Sequence, residues 1–420
     1  MEQYKNIVVL GAAYGGQCAA MDLAEGLQKL PSNWRVIAID RNTHVNHVYA
    51  FPRFAVVEGQ EHQSFIPYIG GTPLDKSQRL LNLTAQIVSL SAHSVTLDRA
   101  FPEHGISTPE LNFEYAIYAL GATLPAPVNL WGPRLDAEVH NILPPDAAHA
   151  LELGSKANGI AWLKGAQQVI RKARSVLIVG GGALGIQFAT DIADVYPEKR
   201  VTLLHSREQL LPRFMPEMHD EILRQMERLK VEVILGERID MRSIEDKKSN
   251  QAGERMAQTT SGRELTADFI LICTGQKPNT GVLRSLDPTL LVQVGRARVK
   301  RTLQLDSPDY SHIFAVGDSA DAFGAISSGR NADFQGCLAA RNILRLIAQK
   351  EQSNSTSEPL QEYTPSPPGI KVSLGLHRAV IQSQGKVTAI DVDDTDDRRC
   401  AGMWRLFGHG TNLSDEYMRA

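Results

Sequence analysis

The sequence predicts an α/β fold with two Rossmann-like dinucleotide-binding domains and a small C-terminal α+β domain. The main observation is a repeated pattern: an apolar run breaks into a glycine turn and then a helix, at residues 6–17 and again at residues 175–187. Further along the chain, each copy is followed by an apolar strand that ends in small residues. A glycine turn between a strand and a helix is the fingerprint of a dinucleotide-binding βαβ unit, so two such units are expected.

Composition limits the classes of function. A chain of 420 residues with 43% hydrophobic residues can bury a large core and divide into two or three domains. The net charge of -3 offers no electrostatic reason for nucleic-acid binding, although a local basic patch stays possible, so no nucleic-acid partner is expected. No apolar run approaches the roughly 20 residues that span a bilayer. The N-terminus has no signal-peptide pattern, and Glu2 is incompatible with N-myristoylation. We expect a cytoplasmic monomer or homodimer without an integral membrane segment.

The cysteine spacing argues against a redox-active dithiol. Cys18, Cys273, Cys337 and Cys400 are far apart in sequence and never form a CxxC or CxxxxC pair. An internal redox disulfide needs close spacing, because it must form without backbone strain. The first three cysteines lie in small or apolar surroundings, so we expect them to be buried packing residues.

The first turn follows a β-branched strand at residues 7–10. Its middle position is Ala13, which adds a methyl group where a phosphate must approach. The next strand, residues 34–39, ends in Asp40, which can accept both hydroxyls of an adenosine ribose and would repel a 2′-phosphate. The pattern favours bound FAD or NAD. The residues expected to contact this cofactor are Gly11, Ala13, Tyr14, Gly15, Gly16, Asp40 and Arg41.

Residues 44–53 form a run of ring-bearing and polar residues just after the ribose acid. Within it, Asn46, His47 and Arg53 either lie near a flavin or substrate, or serve as capping and packing residues; the sequence leaves both open. A zinc site is not expected, because no nearby residue completes the ligand set around the histidines. Residues 60–83 lack clear periodicity and are predicted as a helix and a connecting loop.

The middle of the chain predicts a small antiparallel meander from residue 85, then a central strand at residues 111–120. This strand ends at Gly121, where small residues permit close approach of the chain to a dinucleotide. The proline-rich residues 124–133 then mark a domain crossing.

The second turn carries the complete fingerprint, with Gly180, Gly182 and Gly185 and a helix from residue 183. The strand after it ends in His205 and Arg207 rather than in an acid. Arg207 could pair with a 2′-phosphate, which favours NADPH, although a missing acid permits both NADPH and NADH. A later apolar strand, residues 267–274, ends at Gly275 in the same way as the strand that ends at Gly121.

Residues 311–321 contain a strand that leads to Gly317 and Asp318. An aspartate there can hold a ribityl hydroxyl, and the positive end of the following helix, from about residue 331, would point at the flavin pyrimidine. Residues 349–368 read as a linker, residues 370–391 as strands, and residues 398–420 as helical. The apolar residues of that last segment are Met403, Trp404, Leu406 and Phe407, for which packing within the chain is expected.

These motifs, GAAYGG with Asp40, YALGA, IVGGGALG, ICTGQKPN and IFAVGDSAD, stand in the order seen in flavoproteins with two dinucleotide-binding domains. Residues 176–212 closely resemble the apoptosis-inducing-factor-like branch, which includes the ferroptosis suppressor protein and fungal relatives, and more loosely the type II NADH dehydrogenases. The resemblance implies FAD on the first turn, Asp40 and Asp318, and NADPH or NADH on the second turn. By approximate position it also makes Arg330 a flavin-proximal candidate, in addition to His47.

The implied domains are an FAD-binding domain at 1–130 and 285–348, an NAD(P)H-binding domain at 131–284, and a linker with a C-terminal domain at 349–420. The resemblance implies hydride transfer from nicotinamide to flavin and on to a quinone or another small-molecule acceptor, with no metal. Two alternatives stay open: a flavin-dependent oxidase of a secondary metabolite, and a signalling flavoprotein like apoptosis-inducing factor.

Overall fold

The computed structural model of the chain describes residues 4–30, 33–132, 152–246, 248–351, 358–393 and 399–420. Parts of three sequence predictions lie outside these residues: the end of the proline-rich crossing at 133, residues 352–357 of the linker, and the start of the C-terminal helical segment at 398.

The described strands are, in chain order, β1 Lys5–Leu10, β2 Trp34–Asp40, β3 His44–Asn46, β4 Phe65–Pro67, β5 Leu80–Thr84, β6 Ile87–Leu90, β7 Ser94–Leu97, β8 Glu110–Asn112, β9 Tyr115–Tyr118, β10 Ala122–Thr123, β11 Ser175–Val179, β12 Arg200–Leu204, β13 Glu232–Ile234, β14 Arg255–Gln258, β15 Glu264–Ala267, β16 Phe269–Ile272, β17 Lys277–Pro278, β18 Ile313–Ala315, β19 Ile370–Ser373, β20 Arg378–Ser383 and β21 Lys386–Asp391. The described helices are α1 Tyr14–Leu27, α2 Phe51–Phe54, α3 Lys156–Lys172, α4 Ala183–Val195, α5 Pro216–Arg228, α6 Met241–Glu245, α7 Gly281–Leu286, α8 Gly329–Glu351, α9 Cys400–Leu406 and α10 Asp415–Arg419. Short 3₁₀ turns cover Glu61–Ser64, Pro102–His104, Ala126–Val128, Pro288–Leu290 and Gly317–Ser319.

The first sheet has five parallel strands in the order β18-β9-β1-β2-β5. Its central strand β1 is wholly buried over residues 7–10, as expected for a parallel strand that is covered on both faces. α1 packs closely against α8, and a Cβ added at Gly336 would run into the Gly15 carbonyl. The chain leaves this sheet after β9 and returns to it with β18, so distant parts of the sequence build one nucleotide-binding unit.

The second sheet has four parallel strands in the order β13-β12-β11-β16. α4 begins directly after β11, as the fingerprint predicts, and packs on β11 and β12. A short antiparallel pair, β10 with β17, joins the two units, with Thr123 opposite Lys277. The fold class predicted from the sequence, two dinucleotide-binding units of α/β type, is confirmed.

The predicted meander is also confirmed, because β6, β7 and β8 form an antiparallel sheet. The prediction of a helix and a connecting loop for residues 60–83 holds only for the 3₁₀ turn at Glu61–Ser64 and the loop before β5, and it missed β4 and β5, the latter an edge strand of the first sheet. β5 buries Leu80 and Leu83, three residues apart. That spacing gives neither the alternation nor the continuous apolar run by which a strand is read from sequence.

The C-terminal region packs on both units. β19 and β20 lie against α4 and α5, while α9 and α10 cover the segment around β4. Trp404 and Phe407 are buried in a cluster with Cys18 and Ile66, and the Trp404 indole donates to the Gln63 carbonyl over 2.8 Å. The expected packing within the chain is therefore found for Trp404 and Phe407, with Met403 partly buried beside them, whereas Leu406 is exposed. Among the residues described, none of the helices has the length and apolar character that crossing a membrane requires.

Candidate functional site

A cavity of about 850 Å³ lies between the two parallel sheets, at the carboxyl ends of their strands. Both glycine turns line it, through Gly11 in the first and Gly182 in the second. The ends of the closing strands, at Gly121 and Gly275, and the start of α8 complete its lining. The carboxyl end of parallel strands is where open α/β sheets bind ligands, so this cavity is the candidate site.

Both turns present an uncapped helix N-terminus. Ala13 precedes α1 with φ -87° and ψ -175°, and Gly182 precedes α4 with φ -84° and ψ 176°; neither helix start has a side-chain cap. Free N-terminal amides bind phosphates, because the helix dipole favours negative charge there. The matching angles also explain why the first turn carries an alanine, since this conformation is open to any L-residue.

The glycines divide into two groups by what surrounds them. Gly11 has φ +92°, and a Cβ there would lie 2.5 Å from the Ala119 carbonyl oxygen. Gly121 and Gly275, also with positive φ, have open space where a Cβ would project, so they leave room in the cavity. Gly180 and Gly185 lie outside the described lining, and a Cβ at Gly185 would strike the Gly180 carbonyl, so this glycine serves helix–strand packing.

Asp40 ends β2 beside the first turn and lines the cavity. Its Oδ2 accepts a hydrogen bond from the Ala12 amide over 2.8 Å, and its Oδ1 accepts from the Asn42 amide over 2.9 Å. Arg41 also lines the cavity, with its guanidinium 4.3 Å from the centre of the Trp131 ring. Arg41 is exposed at the cavity edge, where partial desolvation lowers the pKa of its guanidinium and the charge of Asp40 opposes that shift.

The end of β12 differs from the end of β2. Nδ1 of His205 accepts from the Gly181 amide over 3.1 Å, and its Nε2 is buried without a partner among the described residues. A Cβ at Gly181 would lie 2.6 Å from His205 Cγ, so only glycine leaves room for this ring. Arg207 is exposed. Both His205 and Arg207 lie outside the described lining of the cavity.

Asp318 sits at the end of β18, inside the cavity. Gln276, which follows the closing strand of the second unit, donates from Nε2 to Asp318 Oδ2 over 2.6 Å. Burial raises the pKa of Asp318, while Arg296 lowers it in part. Gly317 donates its amide to Gln335 Oε1 over 2.7 Å. A polar contact from one nucleotide-binding unit therefore reaches the aspartate of the other.

Three further sequence candidates, in addition to Gly180, Gly185, His205 and Arg207, lie outside the described lining of the cavity. His47 is buried, and its Nδ1 lies 3.1 Å from the Tyr14 hydroxyl. Arg330 is exposed, with its guanidinium 5.5 Å from the centre of the Phe334 ring. For Arg53 the sequence left a cofactor contact and a packing role open, and the structure favours the packing role, because the guanidinium forms an internal ion pair.

Arg53 is buried in α2 and donates from Nε and Nη2 to both carboxylate oxygens of Asp191 in α4, at 3.0 and 2.8 Å. Nη2 also donates to the Gly375 carbonyl over 2.6 Å. A buried guanidinium requires a paired charge and further acceptors, and these three contacts supply them. Arg53 therefore ties the two units and the C-terminal sheet together.

Several residues of the cavity were missed by the sequence reasoning. Tyr49 lies within the ring-bearing run at 44–53, which was the available signal. Gln276 stands directly after Gly275, at a strand end. Ile370 reaches the cavity from the C-terminal sheet, and no feature of the sequence points to it. The missed lining residues include Tyr49, Gln187, Phe214, Gln276 and Ile370.

The site contains no candidate metal centre or disulfide within the described part of the chain. No group of three or more His, Cys, Asp or Glu side chains among those residues is arranged to hold a metal ion. None of the four cysteines, all of which lie among the described residues, forms a disulfide. Cys273 lines the cavity by itself, and burial raises its pKa.

Comparison with known proteins gives a consistent result. Residues 5–336 match the family described as pyridine nucleotide-disulphide oxidoreductase. The chain is 41% identical to Fe-regulated protein 8 of Mycosarcoma maydis over 416 residues, 98% of this chain and 96% of that protein. It is 26% identical to ferroptosis suppressor protein 1 of Homo sapiens over 388 residues, covering 90% of this chain and 89% of that protein. The resemblance predicted from the sequence is confirmed.

A solved structure supports the fold. The sulfide:quinone oxidoreductase of Aquifex aeolicus superposes with a TM-score of 0.66 and 16% identity, covering 98% of this chain and 94% of that one. At this identity the likeness concerns the arrangement of the two nucleotide-binding units alone.

Proposed function

Because the chain belongs to the pyridine nucleotide-disulphide oxidoreductase family, we propose that it is an FAD-dependent NAD(P)H oxidoreductase acting on a quinone or another small molecule. One observation carries the proposal: two uncapped glycine turns open into one cavity of about 850 Å³. An enzyme that joins a nicotinamide to a flavin needs both dinucleotides to reach one space. The family implies a flavin and NAD(P)H.

In this proposal the first unit holds FAD. Asp40 accepts the adenosine ribose hydroxyls, the α1 N-terminus binds the pyrophosphate, and Asp318 binds a ribityl hydroxyl. NADH or NADPH binds at the second turn, against the α4 N-terminus. Open space beside Gly121, Gly182 and Gly275 leaves the backbone accessible to ligand atoms, which supports a fit to extended dinucleotides.

The flavin, when bound, accepts a hydride from the nicotinamide and releases the electrons to the second substrate. The chain's own contribution is to bind, orient and exclude water. The Arg53–Asp191 pair fixes α2 against α4, and both helices contribute residues to the cavity lining, Pro52 from α2 and Leu184 from α4. Gln276 links the closing strand of the second unit to Asp318 of the first.

A planar apolar acceptor is favoured by the lining where the units meet. Apolar side chains from both units and from the C-terminal sheet converge there, namely Val48, Pro52, Leu184, Phe214 and Ile370. Apolar walls with few polar groups suit a quinone ring. The lone Cys273 thiol in the lining offers no dithiol, so we do not propose disulfide reduction.

The decisive experiment is anaerobic mixing of the FAD-loaded protein with NADH or NADPH while flavin absorbance is followed. Bleaching by either nucleotide is expected. Without bleaching the reductase proposal fails, and direct reduction by an organic substrate would indicate the flavin oxidase instead. A screen of soluble quinones, ferricyanide and oxygen then identifies the acceptor class.

The partners proposed are small molecules and not nucleic acid, since the net charge of -3 offers no electrostatic drive. Binding to DNA that weakens with salt would instead support a signalling flavoprotein like apoptosis-inducing factor. Gel filtration of the full chain distinguishes a monomer from a homodimer.

A further inference from the structure

Tyr49 lies where the cavity meets the start of α8. Its hydroxyl accepts a hydrogen bond from the Gly329 amide over 2.6 Å, and both residues line the cavity. Ser328 precedes the helix, and its hydroxyl accepts from the Asn331 amide over 3.2 Å. The first amides of a helix have no partner within the helix, so they are free to bind a side chain, water or a ligand. Here the amide of Gly329, the first residue of α8, is occupied by a phenol.

The direction of this hydrogen bond decides what Tyr49 can offer. Its oxygen is the acceptor from Gly329, so its O–H is left to act as a donor. A hydrogen bond received from the positive end of a 23-residue helix polarises that O–H and strengthens it as a donor. The helix start is thereby extended into the cavity by one hydroxyl group.

The surroundings of Tyr49 fix its orientation and its protonation. Its ring meets the rings of Tyr14 and His47 edge-on, with centroids 5.5 and 5.9 Å away. The Tyr14 ring in turn packs on Gly329, where an added Cβ would lie 2.8 Å from it. The Tyr49 side chain is 46% exposed towards the open cavity. Partial desolvation of the phenol raises the pKa of Tyr49; the Gly329 amide opposes this and the Asp318 carboxylate adds to it. The phenol therefore keeps its proton at neutral pH.

We propose that the Tyr49 hydroxyl, rather than the Gly329 amide, donates the hydrogen bond that stabilises negative charge on the pyrimidine side of the bound flavin. The proposal rests on the FAD site proposed above. A flavin reduced by hydride carries negative charge there, so a strong donor favours the reduced form. Tyr49 is then a group that sets the reduction potential of the flavin.

The test compares the FAD-loaded Tyr49→Phe variant with the wild-type protein by two measurements that need no turnover. Sulfite forms an S–N bond to N5 of oxidised flavin, and its electron pair leaves the ring system anionic, so sulfite affinity reports the stabilisation of that charge. The midpoint potential is measured by equilibration with a reference dye. We expect about tenfold weaker sulfite binding and a potential lower by about 30 mV, the two-electron equivalent of tenfold.

Tyr118→Phe is the matched control, because it removes a buried hydroxyl that donates to the Asn279 carbonyl rather than into the cavity. It should change sulfite affinity less than about twofold, because the hydroxyl that it removes is bonded within the protein and makes no contact with the proposed flavin site. If Tyr49→Phe retains FAD with wild-type sulfite affinity and potential, the inference fails while the proposed function stands. A wild-type protein that binds no FAD overturns the proposed function itself.

A second variant keeps the test decisive if Tyr49→Phe fails to bind FAD. Tyr49→Gln keeps a group that can both accept from Gly329 and donate into the cavity. It should retain FAD and bind sulfite more tightly than Tyr49→Phe, or bind it measurably where the phenylalanine variant holds no flavin. A glutamine variant that holds FAD but gains no sulfite affinity over Tyr49→Phe would overturn the role given to this donor.

Discussion

Nδ1 of His205 accepts a hydrogen bond from the Gly181 amide over 3.1 Å, and in the first turn Oδ2 of Asp40 accepts one from the Ala12 amide over 2.8 Å. Ala12 and Gly181 each follow the first glycine of their turn. In each unit, the strand that follows the glycine turn and its helix therefore ends in a side chain that fixes that turn. A carboxylate repels a 2′-phosphate whereas a neutral imidazole does not, so the two sites should differ in the nucleotides they tolerate.

His205→Asp is expected to make the second site selective for NADH. The shorter carboxylate can still accept from the Gly181 amide, but its charge would face the 2′-phosphate of NADPH. We expect kcat/KM for NADPH to fall about tenfold more than kcat/KM for NADH, which corresponds to about 1.4 kcal/mol. Steady-state kinetics with a soluble quinone measures the ratio. An equal loss with both nucleotides would place the ribose away from this strand end.

Arg207→Ala should weaken the binding of NADPH more than that of NADH, because the exposed Arg207 guanidinium is the charged group that would contact the 2′-phosphate. Calorimetric titration with NADP⁺ and NAD⁺ measures the two affinities without reducing the flavin. Arg213→Ala, an exposed arginine whose Nη2 donates to the Gly324 carbonyl, is the control and should affect both equally. If Arg207→Ala weakened the binding of both nucleotides equally, Arg207 would not contact the 2′-phosphate.

Nicotinamide binding is expected to weaken at acidic pH through His205. Burial lowers its pKa from 6.5, Arg207 and His219 lower it further, and the Gln209 backbone opposes them. The neutral form is therefore favoured by folding: its contribution to stability is complete above pH 6.5 and is lost as the pH falls through the lower folded-state value. A protonated Nδ1 can no longer accept from Gly181.

The measurement is NAD⁺ affinity and Tm from about pH 8 to about pH 5, the range in which histidine changes charge. His205→Asn is the control, because its side-chain oxygen can accept from the same amide but does not titrate in this range. The variant should show a flatter pH profile than the wild-type protein. Identical profiles would assign the acid sensitivity to another group.

Arg53→Met should destabilise the fold more than it affects the chemistry. Removal of the guanidinium leaves the Asp191 carboxylate, which is 0% exposed, without its charged partner. Loss of one member of a buried pair costs about 3–5 kcal/mol, measured as the free energy of unfolding in urea. The double variant Arg53→Met with Asp191→Leu should recover most of that loss, since both charges are then absent.

The matched control for Arg53 is Arg174→Ala. Arg174 also donates through two of its nitrogens to one carboxylate, that of Asp268, but the Arg174 side chain is 75% exposed. Exposed pairs contribute at most about 1 kcal/mol. Equal losses from the two variants would contradict the structural role given to Arg53.

Local patterns predicted the parts of the fold that depend on one stretch of chain. The two glycine turns, the strands before them and the helices after them are read from buried apolar runs and glycine spacing. β5 was missed because its burial is irregular, and its place at the sheet edge depends on pairing with β2. Strand pairing of that kind is set by tertiary contacts that a local pattern does not carry.

The same limit applies to the site. Asp40 and Asp318 could be predicted because each ends a strand beside a small-residue turn. Arg53 looked equally suited to a cofactor, yet its partner Asp191 stands 138 positions away and carries no motif. Tyr49 and Gln276 were missed as site residues because their roles depend on Gly329 and Asp318, which come from distant segments.

Gly182→Ala should weaken nicotinamide binding without harming the fold. Gly182 has φ -84° and ψ 176°, nearly the angles that Ala13 adopts in the first turn, and an added Cβ would meet no atom within 4 Å. The protein should therefore be as stable as the wild type or slightly more so, by about 0.4–1 kcal/mol. The methyl group projects into the cavity at the α4 N-terminus, so we expect about tenfold weaker NAD⁺ binding with FAD content unchanged.

Gly11→Ala provides the opposite case, because Gly11 has φ +92° and an added Cβ would lie 2.5 Å from the Ala119 carbonyl oxygen. That variant should lose both stability and FAD, since strain and collision occur in the turn itself. Thermal unfolding and the flavin-to-protein absorbance ratio measure the two effects. If Gly182→Ala lost stability but kept full NAD⁺ affinity, its methyl group would have to face protein rather than the cavity. The second turn would then not be the nicotinamide site, because a ligand at that helix start must meet this position.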